Sequence, residues 1–363
     1  MVSFSPTEDQ ELIRQTAAAF GGEVLRPHAR EADEKSLVPQ GVVGQGWQLG
    51  IVQSTIPEEF GGAGETRSAL TSALLLEELA YGDLAATLHL LTPRLFTIPL
   101  TLLGTAARRA KWLPRFIRDQ FTVATAAFVE PRWDFDAAHL TTRAEPEGDH
   151  WVLTGTKCLV PLADRADAIL VYAATKEGLG AFIVEPGISG LAIGAVEKNM
   201  GIRALGTFTL ELDRVRVARE NRLGAEGASL QPLVDAARVA TAALAVGVAR
   251  AAFDYAVTYA KDRRAFGQAI AQKQAIAFKL ADMAIEIDAV RLLTWEAAWR
   301  IDQGLPATRE SALARQYAAD RALKITDDAV QVLGGHGYIR DHPVELWLRN
   351  APGFATMDGL AIA

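Results

Sequence analysis

The chain has 363 residues, a formal net charge of -7, 50% hydrophobic residues and 22% charged residues. That length calls for two or three domains, and the composition is that of a folding globular protein. The negative charge and the lack of a dense basic run argue against nucleic acid or an anionic membrane as partner, and the single cysteine, Cys158, excludes an intrachain disulfide framework or a cysteine-cluster metal site.

Residues Met1 to Asp9 carry no basic stretch followed by an apolar one, so no signal peptide is expected. No run of about 18 apolar residues stands out, so no membrane span is expected either, and the cytoplasm is the default location. Residues 1–121 read as a helical domain. Pro6 and Thr7 precede Glu8-Asp-Gln-Glu11, an acidic turn suited to a helix N-terminus. Arg67 to Tyr81 has apolar residues three and four apart, and Pro57-Glu-Glu-Phe-Gly-Gly62 reads as a loop.

Residues 122–227 change texture. Short β-branched and aromatic runs alternate with glycine-marked turns, at Thr122–Val129, His150–Leu153, Ala168–Ala173, Ala181–Glu185 and Thr207–Leu212. In the last of these the apolar residues fall at every second position, as in a half-buried strand. No helix intervenes, so an antiparallel sandwich or barrel is expected.

Residues 228–363 read as helices again. Ile276, Leu280, Met283, Ile287, Val290, Leu293, Ala297 and Ile301 form one stripe, predicting a helix from near residue 269 to Gln303. A second is expected from about Thr308 to Leu333, stopped by Gly334-Gly335, and a third near 231–261. Helices this long need partners, which implies a four-helix bundle. The fold class is thus α+β in three domains.

Four features are candidates for function. Arg263, Arg264, Phe266 and Gly267 make a turn, and Gln274 falls in the first turns of the helix after it. The arginine fork suits a pyrophosphate, although solvated arginines and a core phenylalanine in a helix–helix turn fit the same letters. Gln331-Val-Leu-Gly-Gly335 is a glycine-capped helix end whose paired glycines also let backbone approach a ligand. The six histidines, His336 and His342 among them, are scattered without metal-ligand spacing, so no metal is expected. Asp358 has Phe354, Ala355, Met357, Leu360 and Ile362 around it in sequence, and an apolar setting raises a carboxylate's pKa toward that of a working base.

Together these segments resemble the acyl-CoA dehydrogenase family over essentially the whole chain. The resemblance rests on Pro57-Glu-Glu-Phe-Gly-Gly62, Gly155-Thr-Lys157, Phe182-Ile-Val-Glu185, Gly201-Ile-Arg203, Arg263…Phe266-Gly267, Leu280-Ala-Asp-Met283 and Gln331…Gly335-His-Gly-Tyr338. It implies FAD held between the β domain and the bundle at a dimer interface, usually in a homotetramer. It also implies an acyl-CoA substrate, from fatty acid or steroid side-chain catabolism, and an electron-transfer flavoprotein as electron acceptor. A carboxylate near the C-terminus removes the α-proton, and that position falls on Asp358. The base position that some relatives use on the bundle helix falls near Ala237, and Asp235 and Arg238 fall where members line the acyl-CoA site.

The departures from the family pattern are one-sided. Arg263, Phe266, Gln274, Gln331, Gly334 and Gly335, which the resemblance assigns to the adenosine and pyrophosphate end of the mate's FAD, are present. Contacts to the chain's own flavin are altered. Thr-Glu-Pro becomes Val129-Glu-Pro131, the small residues after it become Arg132-Trp-Asp-Phe-Asp136, and Trp-Ile-Thr/Ser becomes Leu159-Val-Pro161. Gly359-Leu360 replaces Gly-Thr, and the sequence ends at Ala363 without the family's usual final helical stretch. Each hydrogen bond lost to a buried group costs on the order of 1–3 kcal/mol. The expectation is a partner subunit that completes a mate's FAD in a heterotetramer. The alternative is an active homomer with Asp358 as base.

Overall fold

The computed structural model describes residues 5–363. Thr7 caps the first helix, α1 (Glu8–Phe20), and Gln10 returns the bond to the Thr7 backbone, a capping box that satisfies two otherwise free N–H groups. There follow α2 (Arg26–Lys35), α3 (Gln40–Gln48), α4 (Ala69–Gly82, capped by Ser68), α5 (Leu84–Leu91, capped by Asp83), α6 (Arg94–Leu103) and α7 (Ala106–Trp112).

The β domain holds β1 (Ala124–Ala127), β2 (Arg143–Glu147), β3 (His150–Pro161), β4 (Ala168–Thr175), β5 (Gly178–Val184), β6 (Leu191–Val196), β7 (Thr207–Ala218) and β8 (Arg222–Leu223). Their order is β6-β7-β3-β2-β4-β5-β8, with β1 beside β4. The sheet is mixed, which corrects the expected antiparallel arrangement. β1 runs parallel to β4 over Ala124–Ala127, and β2 meets β4 in parallel at Arg143 and Ala174. Alternation of apolar residues reports which face is buried, not which neighbour a strand takes, so this pairing was outside what periodicity encodes.

The third domain holds α8 (Gln231–Asp262), a two-stranded hairpin of β9 (Arg264–Ala265) and β10 (Gln268–Ala269), α9 (Gln274–Asp302), α10 (Thr308–Leu333), α11 (Gly335–Tyr338) and α12 (Val344–Asn350). The helix expected from near residue 269 begins at Gln274, because Ala269 belongs to the hairpin and Ile270–Gln272 form a 3-10 turn. α8 packs against α9 and α10, and the fourth helix on it is α4 of the first domain. A Cβ at Gly247 would lie 2.3 Å from the Glu77 carbonyl oxygen, so glycine is what lets α8 and α4 approach this closely. Buried Glu77 pairs with Arg250 and Arg291 at 2.9 Å each, and buried Glu78 pairs with Arg250 and with Arg14 at 3.0 Å. These charges tie α1, α4, α8 and α9 together.

Two stretches are long and apolar enough to cross a membrane, Leu84–Leu103 and Gln231–Asp262, contrary to the sequence expectation. In the fold 83% and 89% of their apolar windows are buried, so the protein interior already covers them.

Candidate functional site

Two clefts carry the predicted residues. The first lies where α8 ends. The Arg263 N–H still bonds the Tyr259 carbonyl at 2.8 Å, and the chain then reverses in the β9–β10 hairpin. Its two turn residues, Phe266 and Gly267, both have positive φ, 53° and 82°. That is the handedness a two-residue hairpin requires, and it is unusual for phenylalanine. The turn throws the Phe266 ring outward, 94% exposed, with the Lys273 ammonium 5.7 Å from its centroid. Phe266 is therefore no core residue. Across the cleft α10 ends at Leu333, and Gly334 (φ 60°) donates to the Val330 and Gln331 carbonyls at 3.0 and 3.1 Å.

This cleft has a volume of about 370 Å³ and is lined by Tyr259, Arg263, Ile270, Gly334, Gly335 and His336, among others. The Tyr259 hydroxyl and His336 Nδ1 are 2.7 Å apart. Space is open over both glycines. No ion pair engages Arg263 among the described residues. The structure thus brings Arg263, Gly334 and Gly335 together, whereas Phe266, Gln274 and Gln331 stand exposed outside the cleft.

The second cleft lies beside Asp358. Phe354, Met357, Leu360 and Ile362 are buried around it, as the sequence suggests, but the setting is not purely apolar. Arg315 of α10 places Nε 3.0 Å from Asp358 Oδ1, and its Nη2 donates to the Ala355 carbonyl at 2.7 Å. Burial pushes the Asp358 carboxyl above its ordinary value, while Arg315 and Arg238 oppose the shift and Asp136 adds to it. Beyond Asp358 the chain runs inward. The Ala363 N–H donates to the Ala236 carbonyl at 3.2 Å, and its carbonyl accepts from Arg67 Nε at 2.8 Å. Ala361 and Ile362 pack with Leu95, Phe128, Tyr172 and Leu233, leaving a cavity of about 20 Å³. That is room for one water molecule. Phe128 meets Tyr172 and Phe135 edge to face, at 5.0 and 5.8 Å.

Asp235 and Arg238 lie at the start of α8. Buried Asp235 accepts from Gln231 Nε2 at 2.8 Å, Thr308 Oγ1 at 2.9 Å and Ser311 Oγ at 3.1 Å, so it tethers the start of α8 to that of α10. Arg238 sits 3.8 Å from Asp235. On the β domain Trp133 is 98% exposed, and the Leu159 N–H is directed at the Glu197 carboxylate at 3.2 Å.

Sequence reasoning missed the pair that fixes this wall. Lys157 Nζ, wholly buried, lies 3.0 Å from Glu130 Oε1 and donates to the Phe128 carbonyl at 2.9 Å. Glu130 also accepts from Thr141 N, Thr141 Oγ1 and Thr142 N, each at 2.7 Å. Burial works against the Glu130 charge, but Lys157 and these donors outweigh it and hold the pKa down to about 2. Burial lowers Lys157 to about 8. The available signal was two charges at strand runs, Glu130 just after the Thr122–Val129 run and Lys157 within β3 between Thr156 and Cys158.

Three family models match in chain order: acyl-CoA dehydrogenase N-terminal domain over residues 7–120, middle domain over 125–215 and C-terminal domain over 228–361. The chain belongs to the acyl-CoA dehydrogenase family. It is 35% identical to the mitochondrial short-chain specific acyl-CoA dehydrogenase of Bos taurus over 353 residues, 95% of this chain and 85% of the other. It is 36% identical to cyclohex-1-ene-1-carbonyl-CoA dehydrogenase of Geobacter metallireducens, over 95% of this chain and 93% of that one. Among solved structures, butyryl-CoA dehydrogenase from Megasphaera elsdenii superposes with a TM-score of 0.88 at 33% identity, covering 99% of this chain and 96% of that one.

Acyl-CoA dehydrogenases are FAD-dependent oxidoreductases of CH–CH bonds, and the two clefts fit that chemistry unequally. The first offers an unpaired guanidinium and open glycine backbone, which suit a pyrophosphate. The second holds a cavity of about 20 Å³ lined by Gly359, the neighbour of Asp358, which is too small for an acyl chain.

Proposed function

We propose that this chain is the partner subunit of a heteromeric FAD-dependent acyl-CoA dehydrogenase. Arg263, Gly334 and Gly335 meet the pyrophosphate of FAD carried by a homologous subunit, and Phe266, Gln274 and Gln331 reach out from the cleft rim toward its adenosine end. When bound, FAD supplies the hydride acceptor, and an electron-transfer flavoprotein reoxidises it. The acyl-CoA is oxidised on the mate. The contrast between a cleft of about 370 Å³ lined by Arg263 and a cavity of about 20 Å³ lined by Gly359, next to Asp358, carries this reading. The stripe Phe278, Ile285 and Leu292 supports it, because these exposed apolar residues lie seven apart on one face of α9 and suit contact with another subunit. An active homomer with Asp358 as base is the second reading, favoured by burial raising that carboxyl.

The test is flavin content. Expressed alone, the chain is expected to be colourless. Co-expressed with a homologous subunit that retains the flavin-ring contacts, it is expected to give a yellow complex with one FAD per pair of unlike chains. Stoichiometric FAD on this chain alone, with turnover of an acyl-CoA, would overturn the proposal in favour of the homomer.

A further inference from the structure

A separate cavity of about 270 Å³ lies in the helical domain, between α1, the segment after α3, the start of α4 and the first residue of α6. Leu12, Ile13, Leu49 and Leu75 make its walls apolar, and Thr71 and Ser72 add hydroxyls. Arg94 lines it as well. This guanidinium is only 3% exposed. Its Nη2 donates to Ser72 Oγ at 2.9 Å, and its Nε has no partner. No carboxylate pairs with it among the described residues. Burial, with repulsion from Arg67, another cation, lowers its pKa to about 10. It therefore stays protonated at neutral pH, a buried cation without a counter-ion. Breaking up or omitting half of a buried pair is strongly destabilising, so an unpaired buried cation is a place where an anion binds favourably.

We propose that this cavity binds a small aliphatic monocarboxylate, with Arg94 holding the carboxylate and the apolar walls holding the chain. The planar guanidinium matches a carboxylate better than a point charge does. The volume falls just below the roughly 300–1,000 Å³ of usual ligand pockets, which favours a short to medium chain. Glu65, exposed at the rim, disfavours a second negative group on the same ligand. Nothing in this site depends on flavin or on the closed cleft.

Calorimetric titration of the whole protein with octanoate tests it, with octan-1-ol as the uncharged analogue. Octanoate is expected to saturate at one per chain, and octan-1-ol to bind at least about 10-fold more weakly, the value of one charge-assisted contact. Arg94→Met keeps the volume and removes the unpaired charge, so it is expected to fold. It should weaken octanoate about 10-fold or more and leave octan-1-ol unchanged. Thr16→Trp, at an exposed rim position, should block both ligands without touching the guanidinium, and it decides the matter if Arg94→Met does not fold. Equal affinity for octanoate and octan-1-ol, an Arg94→Met protein that binds octanoate normally, or binding that survives Thr16→Trp would each overturn the proposal.

Discussion

The cleft at Arg263 and the cleft at Asp358 are built from the same bundle helices, yet they differ in what fills them. At Arg263 the helix ends leave a cation and two glycines facing open space. At Asp358 the chain's own segment from Leu360 to Ala363 and the rings of Phe128 and Tyr172 occupy the interior, and Arg315 takes the carboxylate. One fold thus holds an open cleft and a filled one on the same bundle. The two clefts differ in their side chains and in the Leu360–Ala363 segment, within an architecture that superposes on butyryl-CoA dehydrogenase at a TM-score of 0.88.

The largest effect is expected at the wall of the closed cleft. Lys157→Met leaves Glu130 buried without its cation and frees the Phe128 carbonyl, so it should destabilise the β domain by about 3–5 kcal/mol. Denaturant unfolding followed by hydrogen exchange in β3 and β4 reads this directly. If the closed side is held by this pair, the variant should also loosen Phe128, while protection around Arg263 stays unchanged. The pair also sets an acid limit. Glu130 falls from 4.5 to about 2 on folding, so its contribution is present above its unfolded pKa and is lost as the pH falls through about 2.

A smaller effect is expected at the open cleft. Arg263→Ala removes one charge-assisted contact to phosphate, worth about 1.5–3 kcal/mol, so FAD affinity in the complex should drop by roughly 10- to 100-fold. Stability of the isolated chain should hardly change, because no ion pair engages Arg263 among the described residues. Unchanged FAD affinity in the complex would detach this cleft from the cofactor and erase the contrast between the two sites.

How much of this was legible in the sequence follows the range of each interaction. The Thr7 cap, the α10 stop at Leu333 and the alternating Thr207–Leu212 run are local signals, and the structure places all three as read. The order of family-like motifs gave the three domains. The parallel pairings of β1 and β2 with β4 were not legible, since alternation is blind to strand direction. Of the apolar letters around Asp358, Phe354, Met357, Leu360 and Ile362 are buried and Ala355 is exposed, and Arg315 and Arg238 arrive from other helices and change what that carboxylate is. Arg94 had no local signal at all. It is one arginine in an apolar run, and only the packing of α4 and α6 shows that it lacks a counter-ion.

The smallest effect is expected at Asp358 itself, and it separates the readings most cleanly. In the assembled complex Asp358→Asn should change acyl-CoA turnover by less than about 2-fold if, as proposed, proton abstraction belongs to the mate. A working base would instead lose on the order of 10²–10⁴ in rate. A null result needs proof that the substitution reached the protein interior, and pH supplies it. Burial raises the folded-state pKa of Asp358 above 3.8, so folding favours its neutral form. The wild-type chain should therefore lose stability relative to Asp358→Asn as the pH rises from below 3.8 through the raised value. Arg315 works against the shift, so Arg315→Gln should raise the carboxyl further and widen that difference. Unfolding midpoints of the three proteins at about pH 4 and about pH 7 would show a buried, titrating carboxylate that does no chemistry, or, if turnover collapses with it, a base after all.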